Sequence, residues 1–203
     1  MSKKELIWLL VIWMALTVVN YYYMPFYYMT YARLVLLVVL IALAAFQITT
    51  LIKERGNPQR FDIVKAFILI LLLALTVYSR PANRVIEKID WHIFYTKRKD
   101  IVDQVRNKKL NPGVSWHHAL CKLSFKFPEI SNGGNDILIF RNKNDTGTTV
   151  SFWAFRSFYD GPSIYFTYSD DPEEITHIEK KIKENPANNW QLSEHWYRTF
   201  GDE

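Results

Sequence analysis

The sequence predicts a membrane protein: three N-terminal transmembrane α-helices followed by a small α+β domain with an antiparallel sheet. Three observations predict it. Apolar runs dominate up to about Arg80 and then stop abruptly. Beyond that point charge and turn residues recur at ordinary globular density. Within this second part, β-branched and aromatic stretches alternate with Gly, Pro and Asn clusters around two helix-periodic segments. The chain therefore divides into a three-span anchor, residues 1–80, and an extracytoplasmic α+β domain, residues 81–203.

The spans follow in order. Leu6 to Tyr23 comes after Lys3 and Lys4, and no small-x-small cleavage site follows its apolar core, so an uncleaved first span is expected rather than a signal peptide. Ala32 to Ile52 has one charge, Arg33, in its first turn. Phe61 to Tyr78 is 18 residues long, or about 27 Å of helix, near the hydrocarbon thickness of a bilayer. Its charges, Asp62 and Lys65, lie in the first turns, where Lys65 is expected to snorkel to the interface. Connections of about ten residues between spans are expected. Polar residues inside the spans (Asn20, Gln47, Thr49, Thr50) lie toward the ends, and the middles carry no ionisable residue of the kind transport pathways use.

Orientation follows from Lys and Arg retained on the cytoplasmic side. Lys3 and Lys4 precede the first span, and Lys53, Arg55 and Arg60 join the second to the third. The first loop has only Arg33, and carries instead Tyr21, Tyr22, Tyr23, Phe26, Tyr27, Tyr28 and Tyr31, an aromatic belt suited to headgroups. The expected topology is a cell-membrane, multi-pass chain with a cytoplasmic N-terminus and an extracytoplasmic C-terminal domain. Arg80, Arg84 and Lys88 run against it but precede a long domain, which translocates largely regardless of charge.

In the domain, Asn83 to Lys108 is expected to be helical, with Val85, Ile86, Ile89, Ile93, Ile101, Val102 and Val105 as one stripe facing a core or the bilayer surface. The run Lys97, Arg98, Lys99 is expected on a solvated face, with contact to anionic headgroups as the alternative. Strands are expected at Ala119 to Phe125 and Asp136 to Phe140, around a positive-φ loop from Ser131 to Asn135. Thr148 to Phe158 and Ser163 to Tyr168 form the strongest hairpin, aromatic and β-branched on both arms. Asp170 or Asp171 caps a helix with Pro172 first, Glu173 and Glu174 in its opening turn, and Lys180, Lys181 and Lys183 toward its end. A single last strand is expected from about Gln191 to Phe200.

The formal net charge of +5 belongs entirely to the membrane part: residues 1–80 hold 8 Lys/Arg against 3 Asp/Glu, and residues 81–203 hold 17 of each. That removes the charge argument for nucleic acid. Within the domain, residues 84–126 sum to +6 and residues 127–203 to −6. An acidic outward face steers basic partners.

The segments from Lys97 to Ser115, Glu129 to Phe140 and Val150 to Asp171 resemble the C-terminal domain of uncharacterised Gram-positive bacterial membrane proteins. The resemblance covers roughly residues 90–200 and implies a bacterial envelope location; it implies no activity.

Motifs for catalysis are missing: there is no Gly-x-Ser-x-Gly, Walker or dinucleotide fingerprint. His117, His118 and Cys121 fall short of the three or four converging ligands zinc needs, and Cys121 reads as a small core residue. Asp160, Asp170, Asp171, Glu173 and Glu174 read as turn and cap residues. No metal or cofactor is expected. Trp91, Trp116, Trp153, Trp190 and Trp196 read first as core, second as a stacking or anchoring surface. The candidate partner-binding residues are Trp153, Tyr159, Tyr165, Glu173, Glu174 and Glu179, and the candidate membrane-interface residues are Tyr21, Tyr22, Tyr23, Tyr27, Tyr28 and Tyr31. Three function classes stay open: a non-enzymatic envelope protein binding a protein partner outside the cytoplasm, immunity to a secreted toxin included; a cell-wall or glycan-binding module; and a membrane-tethered enzyme with an unrecognised site.

Overall fold

The computed structural model describes residues 1–23, 27–53, 59–142, 144, 146–157 and 161–201, with only the backbone at 27 and 29. Contacts divide the chain into two compact units, Met1–Lys88 and Ile89–Glu203. The division falls inside the helix α4 (Arg80–Arg106).

The first unit contains α1 (Lys3–Tyr23), α2 (Tyr27–Lys53) and α3 (Arg60–Val77), and then the start of α4 (Arg80–Arg106). α1 and the Thr30–Lys53 part of α2 are each long and apolar enough to cross a membrane. α3 raises the number to three only when it and α4 are taken as one broken span, because Arg60, Asp62 and Lys65 all fall within its 18 residues. α2 also begins five residues before Ala32, so the connection to α1 is shorter than the sequence implies.

Ser2 and Glu5 form a capping box at the start of α1: the Ser2 amide donates to Glu5 Oε2 (2.8 Å) and the Glu5 amide to Ser2 Oγ (3.3 Å). Leu36, Leu40 and Ala44 recur every fourth residue along α2 and pack on Leu69 and Leu72 of α3, with Leu9, Trp13 and Leu16 of α1 against them. Several polar groups pair inside this unit. Trp13 Nε1 donates to Thr76 Oγ1 (2.8 Å) and Arg33 Nη2 to the Thr76 carbonyl (2.6 Å), which occupies one of the orphan carbonyls ending α3. Lys65 is 6% exposed, pairs with Asp62 at 2.7 Å and lies over the Phe61 ring. Of the tyrosines, Tyr21 is buried, Tyr22 and Tyr23 are half-buried, and Tyr28 and Tyr31 are exposed; the Tyr27 side chain lies outside the described residues.

The second unit is a six-stranded, wholly antiparallel sheet, β1 (Leu120–Lys122), β2 (Asp136–Arg141), β3 (Thr148–Phe155), β4 (Ser163–Ser169), β5 (Trp190–Ser193) and β6 (Trp196–Gly201), in the order β1-β2-β3-β4-β6-β5. The helix α5 (Pro172–Glu184) joins β4 to β5. The expected last strand is two strands, because His195 takes a left-handed φ of 60° and turns the chain back on itself between Ser193 and Trp196. The expected loop at 131–135 holds: Gly133, Gly134 and Asn135 all have positive φ, and Glu129 Oε1 accepts from the amides of Gly133 (2.8 Å) and Gly134 (2.9 Å).

One face of the sheet is apolar. Ile137, Ile139, Val150, Phe152, Ala154, Phe166 and Trp196 form it, and Trp91, Ile101, Val102 and Val105 of α4 cover it. Of the expected stripe on α4, only the second half meets this core. Trp91, Phe94 and Tyr95 take the sheet, and Val85, Ile89 and Ile93 are left 59%, 53% and 64% exposed. The run at 97–99 is corrected: Arg98 is fully buried, bonded to Asp90 Oδ2 at 2.5 Å and to the Ile130 carbonyl at 2.9 Å, with Phe94 and Phe166 against the guanidinium.

Candidate ligand groove

The other sheet face is hydroxylic, and the register explains why. Residues two apart along a strand share a face, and Ser151 pairs with Thr167 while Tyr165 pairs with Thr199. Thr149 and Ser151 of β3, Tyr165, Thr167 and Ser169 of β4 and Thr199 of β6 therefore point the same way. Their hydroxyls bond across the strands: Thr149 to Ser169 at 2.8 Å, Ser151 to Thr167 at 3.2 Å and Thr167 to Thr199 at 3.0 Å. Leu120, Leu138, Trp153 and Tyr165 close one side of this face as a small apolar cluster.

Above this floor lies α5. Asp171 accepts from the Glu173 amide (3.1 Å), Pro172 takes the first position, and Lys181 and Lys183 end the helix, as the sequence leads one to expect. Its sheet-facing residues are Glu174, His177, Ile178 and Lys181, spaced three, four and seven apart on one stripe. Ile178 is the buried one and spaces the helix from the strands. Between them is a groove of about 370 Å³, lined by the hydroxyls, these four residues, Leu138, Phe140, Tyr165 and Phe200. That volume lies within the roughly 300–1,000 Å³ of small-molecule sites.

Three linked hydroxyls, those of Ser151, Thr167 and Thr199, bring three donors and six lone pairs. The two bonds between them use two of each. One donor and four lone pairs remain, so the floor accepts more than it donates. Glu174 stands toward one end and Lys181 toward the other, about 10 Å apart at 1.5 Å per helical residue. Nearby, burial pushes the Tyr197 phenol above its ordinary range, and the Glu179 carboxylate adds to this.

Compared with protein-family models, curated proteins and solved structures, the chain matches none. The groove's chemistry therefore rests on its own residues.

The expected partner-binding residues fall in different places. Tyr165 is buried and lines the groove; Glu174 is half-buried at its lip; Glu173 and Glu179 are exposed on α5. Trp153 is fully buried beside the groove on the same sheet face, with its ring 5.7 Å from that of Tyr165 and the Arg156 guanidinium over it at 4.3 Å. Tyr159 lies outside the described residues. Trp91 and Trp196 are core, Trp190 lies under Arg198, and Trp116 is 69% exposed. His117 and His118 stack on each other at 5.7 Å, and among the described residues no three His, Cys, Asp or Glu converge as metal ligands. Asp170 accepts from the Thr148 amide (2.7 Å) and pairs with Arg106 (3.0 Å), so it ties β3 and α4 to the start of α5. The sequence reading missed Thr149, Ser151, Thr167, Thr199, His177 and Lys181. The available signal was the alternation of hydroxyl residues along β3 and β4, which puts polar groups at positions a two-sided core would fill with aliphatic ones.

Proposed function

We propose that the protein is a membrane-anchored binding protein whose α+β unit holds a short extended segment of a protein partner in the groove beneath α5. The observation that carries the reading is the acceptor-rich hydroxyl floor with a carboxylate toward one end and an ammonium toward the other. An extended peptide rises about 3.3 Å per residue, so about three residues bridge that separation. A Lys or Arg side chain of the guest meets Glu174, and a guest carboxylate or carbonyl meets Lys181. Glu173 and Glu179 on the open side of α5 favour the approach of a basic surface.

Three spans, a cytoplasmic N-terminus and an extracytoplasmic α+β unit complete the proposal. They are supported by Lys3, Lys4, Lys53, Arg55 and Arg60 on one side against Arg33 alone in the loop between the first two spans. The family resemblance supports a bacterial envelope, where binding a secreted toxin in self-protection is one role for such a unit. A second reading, a cell-wall glycan as guest, is favoured by Phe140, Tyr165 and Phe200 beside the hydroxyls, since aromatic faces and hydroxyls together suit a sugar.

The test is capture by the full chain in lipid nanodiscs, offered secreted proteins and isolated wall material, with Glu174→Gln and Thr167→Val in parallel. A retained protein whose affinity falls about tenfold in either variant, the weight of one hydrogen bond or ion pair, supports the first reading. Retention on wall material alone, weakened by Thr167→Val, supports the second. A retained partner indifferent to both variants removes the groove as the site.

A further inference from the structure

The outward face of α4 combines two properties that solvent-facing helices of small domains rarely share. Ile89 and Ile93, one turn apart, are 53% and 64% exposed, and Phe127, on the loop after β1, is 84% exposed. Lys97 lies a further turn along α4, with its ammonium over the Phe125 ring at 5.7 Å, which connects that loop to this side of the helix. Secondly, every exposed ionisable group on α4 from Arg80 to Lys99 is basic or histidine: Arg80, Arg84, Lys88, His92, Lys97 and Lys99. The two acids of the stretch, Glu87 and Asp90, are 5% and 1% exposed. Aliphatic residues flanked by cations, with Glu87 and Asp90 turned inward and Asp100 the first exposed acid along the helix, make a face of net positive charge that fits an anionic lipid surface.

Chain connectivity supplies the partner. α3 ends at Val77 and α4 begins at Arg80. Three Cα–Cα steps across Tyr78 and Ser79 and nine helical ones keep Ile89 within about 25 Å of the end of α3, whatever the angle between the helices. A face tethered that closely to a span meets the bilayer surface at high effective concentration.

We propose that α4 lies in the membrane interface, with Ile89, Ile93 and Phe127 inserted among headgroups and Lys97 and its basic neighbours paired to anionic lipid phosphates. This rests on the membrane-anchored reading given above. It also gives Arg84 and Lys88 a role independent of topology: they bind the surface on whichever side the α+β unit occupies. The α5 groove, on the opposite face of the sheet from α4, then points away from the lipid.

The experiment places a single environment-sensitive fluorophore on cysteines introduced in a Cys121→Ala background of the full chain. The sites are Ile93→Cys on α4, Ile41→Cys in the middle of α2 and Glu179→Cys on α5. The chain is reconstituted in vesicles of phosphatidylcholine and phosphatidylglycerol at a ratio of roughly two to one, where anionic lipid is plentiful. Nitroxides are carried either near the headgroup or deep in the acyl chains. An interfacial helix buries its apolar face about 5–10 Å into the headgroup and acyl boundary. The probe at 93 is therefore expected to shift to the blue and lose emission to the shallow nitroxide; the probe at 41 responds to the deep one, and the probe at 179 to neither. A response at 41 with aqueous emission at 93 overturns the proposal and leaves the anchor reading standing, as does a probe at 93 shielded by a second copy of the chain and insensitive to lipid nitroxide. No response at 41 overturns the anchor reading itself, and this proposal with it.

Discussion

Removing the Arg98 side chain tests whether the α+β unit depends on its one fully buried ion pair among the described residues. Arg98 and Asp90 have no exposed side-chain surface. The guanidinium donates to Asp90 Oδ2 at 2.5 Å, the Asp90 carbonyl at 3.2 Å and the Ile130 carbonyl at 2.9 Å. Arg98→Met keeps much of the packing volume against Phe94 and Phe166 but removes the guanidinium that pairs with the buried Asp90 carboxylate. Breaking such a pair from one side costs about 3–5 kcal/mol, and the orphaned Ile130 carbonyl adds about 1 kcal/mol. The sum, about 4–6 kcal/mol, is a large part of a small domain's total stability of about 5–15 kcal/mol. Asp90→Leu strands the cation instead, which keeps its bond to Ile130 and its aromatic neighbours; about 2–4 kcal/mol is expected. With both changed, neither charge of the pair remains, and the variant should fall within about 2 kcal/mol of the parent. The assay is a urea titration of the full chain in detergent, read by amide exchange in β3 and β4 so that the helical unit does not contribute. A double variant as unstable as the two single ones added together would refute the argument, since it would mean that packing alone, without the trapped charge, accounts for each loss.

Two more expectations follow from the same unit. Gly147→Ala places a Cβ 2.8–2.9 Å from the Cα, Cβ and Cγ of Asp171, closer than real contacts allow, so the start of α5 must shift; about 1–3 kcal/mol of destabilisation is expected in the same titration, together with weaker exchange protection in the first turn of α5. Alkaline pH is the second. Burial, reinforced by Asp136, raises the Cys121 thiol; burial, reinforced by Asp170, raises the Tyr168 phenol; and burial with Glu179 raises Tyr197. A folded pKa above the unfolded one gives stability that is fully present below the unfolded value and is lost as pH rises through the folded one. Urea midpoints should therefore be flat near neutral pH and fall from about pH 8.5 upward as thiol and then phenols ionise, whereas a midpoint that rises across that window would reverse the sign.

Much of the fold is legible in the sequence because local chemistry and tertiary packing agree. Asp171, Pro172 and the lysines of α5 delimit a helix without help from neighbours, and Gly133, Gly134 and Asn135 demand a turn wherever they are placed. The departures come where packing overrides periodicity. On α4 two stripes compete; the aliphatic one is more regular, but Trp91, Phe94 and Tyr95 fill more of the space over the sheet and win it. Arg98 reads as part of a surface run until Asp90, two turns earlier, is seen beside it. At Ser193 to Trp196 no glycine marks the reversal, and His195 adopts the left-handed backbone that ends one strand and starts the next. The groove was hidden for a different reason: each hydroxyl is an ordinary strand residue, and only the register that sets Ser151, Thr167 and Thr199 side by side makes a floor of them.

That register also separates two tasks within one sheet. Along β3, Val150, Phe152 and Ala154 face α4 while Thr149 and Ser151 face α5, so neighbouring residues of one strand belong to different structural problems. The α4 side supplies most of the apolar burial, and a large-to-small change there costs about 2–5 kcal/mol. On the α5 side, Thr167→Val removes the middle hydroxyl of the row and leaves Ser151 and Thr199 still bordered by the groove, where water can replace the lost bond. Its cost to stability should stay near about 1 kcal/mol. A sheet stabilised on one face can carry a polar hollow on the other. Substitutions at Phe152 or Phe166 should therefore abolish folding and binding together, and substitutions at Ser151, Thr167 or Thr199 should separate them.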